Sequence, residues 1–487
     1  MKTKLIFPLY IHILIYFIAA LSFSYYLDIS MIDDGFRHIA FAEHKDIMKN
    51  WGEVFPHSLF SSYDPWYAWH QLLEVFLKVV PYDSIHIFIN TLSIFTLMIL
   101  VDKYIKYFVK YDFGSLTYII VFSIVYITGY RYWIMRPDLL SGLFVFAALL
   151  FRNKFLPVFL LTILYAPFYY LFFLYTGSVG LVYIVQKKWK SLLGIFMGSL
   201  IVGIVFLIQD YQGYIDTVKY ILTDQSLRMG LEVGEGKPIL GFLTHLNYFI
   251  LLPLFLVGGF TLIYWKYKYF STNTLVTFLL VTSILWFNQY RYFHLFMPFI
   301  IIFLISVIVD IDKKLFLYKI RRYLILLKRY TSFAQTKPLF YVIAIPYVIA
   351  IITFQFSTKS LNEQTAEAKF FENKYYNEKT ILLNKLDLDI YKALYYNPTI
   401  KFIPSCSIGW FDKTNPKIKD IYIRMQKKNG ITEEELSKLI KFVNADIYIH
   451  YLRNEKQKLN FDKLNQYGII PYEIYNNRII FKIEREK

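Results

Sequence analysis

The sequence predicts a multispanning α-helical membrane protein of about eleven transmembrane helices, followed by a small C-terminal α/β domain. Three observations lead there. The 487 residues are 56% hydrophobic, 20% aromatic and only 18% charged, with a mean hydropathy of +0.39, against about 25% charged residues in an average soluble domain. Apolar runs follow one another from the N-terminus as far as Phe356. Beyond Phe356 the pattern changes to short apolar runs among frequent charges. The 44 Tyr and 46 Phe exclude a disordered chain, because so much apolar surface cannot stay solvated. A net charge of +17 in a soluble protein would point to nucleic acid; in a membrane protein a bilayer explains it better, and no nucleic-acid partner is expected. The single Cys406 excludes an intramolecular disulfide and a thiolate metal site.

An apolar stretch of about 20 residues crosses the hydrocarbon core, and shorter ones do so when packed among other helices. The spans are read at Leu5–Leu27, Ser84–Val101, Gly114–Gly129, Pro137–Phe151, Phe155–Tyr170, Leu171–Gln186, Ser191–Gln209, Ile239–Ile263, Asn273–Asn288, His294–Asp310 and Leu339–Phe356. The stretch Phe155–Gln186 is either one long helix or a hairpin broken near Pro167; basic residues on both flanks favour the hairpin. No small-residue cleavage site follows the first span, which is therefore read as an anchor. With the N-terminus in the cytoplasm, the inside segments hold 20 Lys and Arg and the longer outside loops only 10. The positive-inside rule then gives a cytoplasmic N-terminus and an external C-terminus, in the cytoplasmic membrane. Residues 1–356 form the membrane domain, with a long first outer loop over 28–83. Residues 357–487 form the extracytoplasmic (periplasmic) domain.

In that domain, strand-like runs fall at Thr380–Leu383, Ile400–Ile403 and Asp446–Tyr451. Thr432 and Glu435 form a capping box ahead of a helix through Phe442. Tyr472–Tyr475, Asn476–Asn477 and Arg478–Ile483 read as a terminal hairpin.

The residues able to do chemistry gather on the outer face. The first outer loop carries nine carboxylates, among them the adjacent Asp33 and Asp34 in Ile32-Asp33-Asp34-Gly35-Phe36-Arg37-His38. Such a pair can act as general base, hold a divalent cation or simply be solvated. Tyr130-Arg131-Tyr132-Trp133-Ile134-Met135-Arg136-Pro137-Asp138 places two arginines and an aspartate at the mouth of a span. Arginine forks match phosphate oxygens, and arginines with aromatic neighbours also anchor helices at interfaces. Asn288-Gln289-Tyr290-Arg291-Tyr292-Phe293-His294 puts Arg291 on a late outer loop, where it either faces a ligand or packs. Asp210–Pro238 is a further outer loop with a Gly-rich stretch that fits no phosphate-cradling motif. His38, His57, His70, His245 and His294 have no metal-ligand spacing, and each is read as structural.

Taken together these segments resemble the GT-C superfamily of membrane glycosyltransferases, in the branch of protein O-mannosyltransferases and aminoarabinose transferases. Asp33-Asp34 matches the acidic pair of that family's first outer loop. Met135-Arg136-Pro137-Asp138 is similar to its Arg-Pro element, and Tyr290-Arg291-Tyr292-Phe293-His294 to its late Arg-Tyr…Pro element, which Pro298 completes. The resemblance implies a sugar donor on a polyprenyl phosphate and a lipid, glycan or protein acceptor outside the membrane. Carried over, Asp34 or Asp33 is the general base and Arg131, Arg136 and Arg291 steady the lipid phosphate. Asp138, His38, Tyr292 and His294 lie beside these motifs as further site residues. Some members use a divalent metal (Mg or Mn) and some do not. The alternative reading is a transporter or flippase of an anionic lipid or glycan. Transporters place polar groups near the bilayer midplane, whereas the spans read here contain no Lys or Arg.

Overall fold

The computed structural model describes residues 6–27, 35–44, 66–109, 116–128, 135–137, 139–223, 298, 301–302, 305, 369–384, 393–394, 396–403, 416–426, 430–452, 460–475 and 478–484. Among them the chain is mostly helical with one small sheet, and it divides into two compact units. One comprises Met1–Ser30, Tyr82–Ile204 and Glu235–Thr358; the other comprises Met31–Pro81, Val205–Gly234 and Lys359–Lys487.

The first unit contains α1 (Ile6–Leu27). The second contains α2 (Gly35–Glu43) and α3 (Tyr67–Leu77). The first unit then resumes with α4 (Tyr82–Tyr104), α5 (Leu116–Thr128), α6 (Leu139–Leu150), α7 (Phe155–Tyr165), α8 (Phe172–Val185) and the start of α9 (Trp189–Thr223). The first seven expected spans each fall on one of these helices. The last four fall outside the described residues, apart from Pro298, Ile301, Ile302 and Ile305. Among the described residues two helices, Ser84–Tyr107 and Trp189–Ile215, are long and apolar enough to cross a membrane.

The boundaries have physical causes. Pro157, in the first turn of α7, lies where its missing N–H breaks no helical bond. Pro167 falls in a short 3-10 turn, Ala166–Phe168, that separates α7 from α8, so Phe155–Gln186 is two helices rather than one. α9 bends at Asp210, whose backbone leaves the helical region at φ −160° and ψ 91°. There its side chain accepts a hydrogen bond from the Gly213 N–H at 2.8 Å and caps the second half. α4 runs later than the sequence indicates. It passes the expected end at Val101 and continues into a π-helical turn, Ile105–Val109. Asp102, Lys103 and Lys106, expected in an inside loop, therefore lie on the helix and its π-helical continuation. Gly194 and Gly198 let α9 approach α7 closely. A Cβ on Gly194 would lie 2.9 Å from the Phe155 carbonyl oxygen, and one on Gly198 2.8 Å from the Thr162 Cβ.

In the second unit the C-terminal segment forms β1 (Thr380–Leu383), β2 (Lys401–Ile403), α10 (Pro416–Gln426), α11 (Glu433–Val443), β3 (Ile447–Tyr451), α12 (Phe461–Gln466), β4 (Ile469–Tyr475) and β5 (Arg478–Ile483). The sheet order is β2-β1-β3-β5-β4. β1 pairs in parallel with β2 and β3, while β5 runs antiparallel to both β3 and β4. This α/β tail was expected, and its strands lie within a residue of their expected bounds apart from β4, which begins three residues earlier. The capping box is present as read: Thr432 accepts from the Glu435 N–H, and the Glu435 carboxylate accepts from the Thr432 N–H. Arg424 forks onto the same carboxylate at 2.6 and 3.1 Å, which holds it at about pKa 2. α11 ends on Asn444, left-handed at φ 53°.

One sheet face is covered by α10, α11 and α12 through Tyr422, Met425, Leu436, Leu439 and Leu464. On the other face Phe371, Tyr376, Ile381, Phe402, Ile447, Ile449 and Ile480 form a core that also takes in Ala40 and Phe41 of α2. A helix of the first loop is thus part of the hydrophobic core of the tail. β3 is buried along its whole length, as a central strand covered on both faces must be.

His450 on β3 is 2% exposed. Its Nδ1 accepts from the Asn384 amide at 2.9 Å and lies 2.9 Å from the Tyr448 hydroxyl. Burial pulls its pKa down to about 4, against an unfolded value of about 6.5. Between those values the unfolded chain holds a proton that the folded chain does not. Stability of this unit therefore falls as the pH drops from 6.5 to 4, by about 3 kcal/mol across the whole window. Thermal melts over that range should show the loss, and His450→Gln should flatten it.

Candidate functional site

The described part of the first loop is two helices packed together. α2 buries His38, Ile39, Ala40, Phe41 and Ala42, and α3 buries Trp69, His70 and Leu73. Both histidines point into the contact: His38 is 1% exposed and His70 is 4% exposed. His38 Nδ1 lies 2.9 Å from His70 Nε2. One imidazole N–H must donate to the lone pair of the other ring, so at least one of the two is neutral. Trp66 meets His38 edge-on at 5.3 Å, and Phe41 meets His70 edge-on at 5.5 Å. Chemically the pair can pass a proton between two buried rings and fix the angle between α2 and α3. His38 thus has a defined partner, 32 positions away in sequence, that spacing alone did not reveal.

α2 begins at the residue after Asp34. Asp33 and Asp34 themselves lie outside the described residues, as do Arg131, Asp138, Arg291, Tyr292 and His294. Arg136 is described: it is half-buried, three residues before the start of α6, and its carbonyl accepts from the Leu139 N–H at 3.2 Å. The expected cavity that would join the Asp pair to an arginine therefore falls outside the described residues.

A second polar cluster, on α1, α4 and α5, was missed at the sequence level because its members are far apart and the end of α4 was placed too early. Asp102, with a side chain 6% exposed, accepts from Lys106 Nζ at 2.8 Å and from His12 Nε2 at 3.2 Å, both at Oδ2. The other His12 nitrogen is 2.6 Å from the Tyr118 hydroxyl. The π-helical turn starting at Ile105 carries Lys106, and such turns recur at functional sites. The Asp102-Lys106 spacing of four could have signalled the ion pair; the contribution of His12 could not be read from the sequence.

Among the described residues no group of three or more His, Cys, Asp and Glu is placed to hold a metal ion. No protein-family model matches the chain, and no curated protein does either.

Proposed function

We propose that the protein is an integral-membrane glycosyltransferase that moves a sugar from a polyprenyl-phosphate donor to a lipid, glycan or protein acceptor on the outer face of the cytoplasmic membrane. The observation that carries this reading is the joining of the acidic first loop to the C-terminal α/β fold. α2, which follows Asp33-Asp34 directly, contributes Ala40 and Phe41 to the tail's core. The apolar outer surface of α9 supports a bilayer setting: Phe196, Leu200, Ile204 and Ile208 are all exposed along one face, and exposed apolar patches mark interaction or membrane surfaces.

In the reaction, Asp34 or Asp33 takes the proton of an acceptor hydroxyl as its oxygen attacks the anomeric carbon. The bond from that carbon to the phosphate oxygen breaks, and the electron pair leaves on the polyprenyl phosphate. Arg131, Arg136 and Arg291 stabilise that developing charge, the kind of electrostatic contribution that often dominates catalysis. Asp138, His38, Tyr292 and His294 border these groups in sequence. A divalent ion held by the Asp pair is compatible with the same scheme. Purified protein in lipid nanodiscs, given a labelled polyprenyl-phosphate sugar and membrane extract, should release polyprenyl phosphate and label an acceptor. Intact donor after long incubation, with protein that melts normally, would contradict the reading.

One observation favours the second reading, a transporter of an anionic lipid or glycan. The His12–Asp102–Lys106 cluster sets a buried carboxylate against a half-exposed lysine on helices of the apolar unit, and ionisable groups inside a membrane often mark a transport path. The same protein moving intact donor or glycan across vesicles without cleaving it would establish that reading.

A further inference from the structure

The edge of the sheet carries an aromatic surface that the proposed reaction does not use. Between Pro471 and Glu473 the pairing of β4 with β5 slips by one residue, so that Pro471 faces Phe481 and Glu473 faces Ile480. Tyr472 is the extra residue of this bulge, and bulges re-aim side chains. Its ring stacks on Tyr375 at 4.8 Å with an interplanar angle of 8°, and Tyr475 stacks on Phe370 at 4.3 Å. Tyr375 is in turn braced edge-on by the buried Tyr376 at 5.3 Å. Tyr472 remains 53% exposed. A pair of rings held parallel from beneath and open above is a rigid plate.

Two carboxylates act on the tyrosines of the plate. Glu473 follows Tyr472 on the bulge and acts electrostatically on Tyr376, while Asp446 acts on Tyr375. Glu372 is exposed on the same aromatic segment, which also carries Lys374. Ring faces are negative at their centres, so they attract the weakly positive C–H face of a sugar ring. Carboxylates accept hydrogen bonds from hydroxyl or amino groups. The same carboxylates repel phosphates, sulfates and nucleic acid.

We propose that Tyr472, stacked on Tyr375 and flanked by Glu473, forms a binding platform for an uncharged or amino-bearing sugar ring of a glycan. The ligand class follows from the platform's own chemistry; that the bound glycan is the acceptor rests on the transferase reading.

The test is calorimetric binding to the full chain in nanodiscs, since maltoside detergents would compete. The probes are maltohexaose, chitohexaose, the deacetylated chitosan hexamer and, as an anionic control, an oligogalacturonate hexamer. At least one of the first three should bind, and the anionic hexamer should bind more weakly. Stacking on one ring accounts for a tenfold or larger loss of affinity on its removal, so Tyr472→Ala should weaken binding at least about tenfold. Tyr472→Phe should stay within about threefold of wild type, because it keeps the ring. Glu473→Gln should weaken an amino sugar more than a neutral one. Absence of binding by all three saccharides overturns the proposal. So does wild-type affinity in a Tyr472→Ala protein, preferential binding of the anionic hexamer, or capture of an extended peptide along β4 in place of sugar. Binding that depends on Tyr472 in a protein that transfers no sugar leaves the platform standing and removes only the acceptor role. Transfer by a protein that binds none of the probes does the reverse.

Discussion

Phe41→Ala destabilises the second unit by about 3–5 kcal/mol, the range for removing a buried aromatic ring from a well-packed core. Phe41 is 2% exposed and belongs to the cluster of Ile381, Phe402, Ile447 and Ile449, although it lies far upstream of β1 (Thr380–Leu383) along the chain. It also supports the His38–His70 contact, since its ring lies edge-on to His70. A loss of this size is a large part of the stability of most domains. Hydrogen exchange measures it directly: the amides of α2, β1 and β3 should exchange faster together in the variant. Faster exchange confined to α2, with β3 unchanged, would mean that the first loop only rests on the tail. Phe41→Leu should recover much of the loss, because it refills most of the volume.

Lys106→Met costs about 3 kcal/mol, and Asp102→Asn costs less than about 1 kcal/mol. The asymmetry follows from burial. Asp102 is the enclosed member of the pair and Lys106 is half exposed. Removing the lysine leaves a buried carboxylate short of its counter-charge, and an uncompensated buried charge is the expensive outcome. Removing the carboxylate leaves a lysine that re-solvates at little cost, with Asn still able to accept from His12 or Lys106. The double variant Asp102→Asn with Lys106→Met should therefore melt close to Asp102→Asn alone. Melting midpoints of the three proteins in nanodiscs decide it. Equal losses for both single variants would mean that Asp102 is stabilised by other groups.

The tail was legible because its signals are local. The Thr432–Glu435 box, the short apolar run of β1 and the two-residue Asn476-Asn477 connection each depend on neighbours within a few positions. The helices of the apolar unit were legible through sheer hydropathy, but the C-terminal ends of α4 and α9 were not. Asp102 and Lys106 look like the start of a loop in sequence, yet they pair with each other and with His12 on a continued helix. α2 and α3 escaped because the first loop reads as polar overall: nine carboxylates conceal the short apolar run Ile39-Ala40-Phe41-Ala42 that docks on a sheet encoded far downstream. The His38–His70 pair was hidden for the same reason, since its 32-residue spacing matches no helical or strand period. Tyr472 gained its orientation from a bulge, and a bulge is set by pairing register with β5 rather than by β4 alone.

The central claim is that the acidic pair ahead of α2 does the chemistry. The measurement that tests it most directly is the extracytoplasmic glycan profile of cells carrying Asp34→Asn or Asp33→Asn, beside wild type and a deletion strain, with membrane levels checked by blot. The account predicts that one variant, present at wild-type level, lacks the same sugar as the deletion strain. If both variants keep a glycan that the deletion strain loses, the pair is not catalytic and the transport reading takes its place.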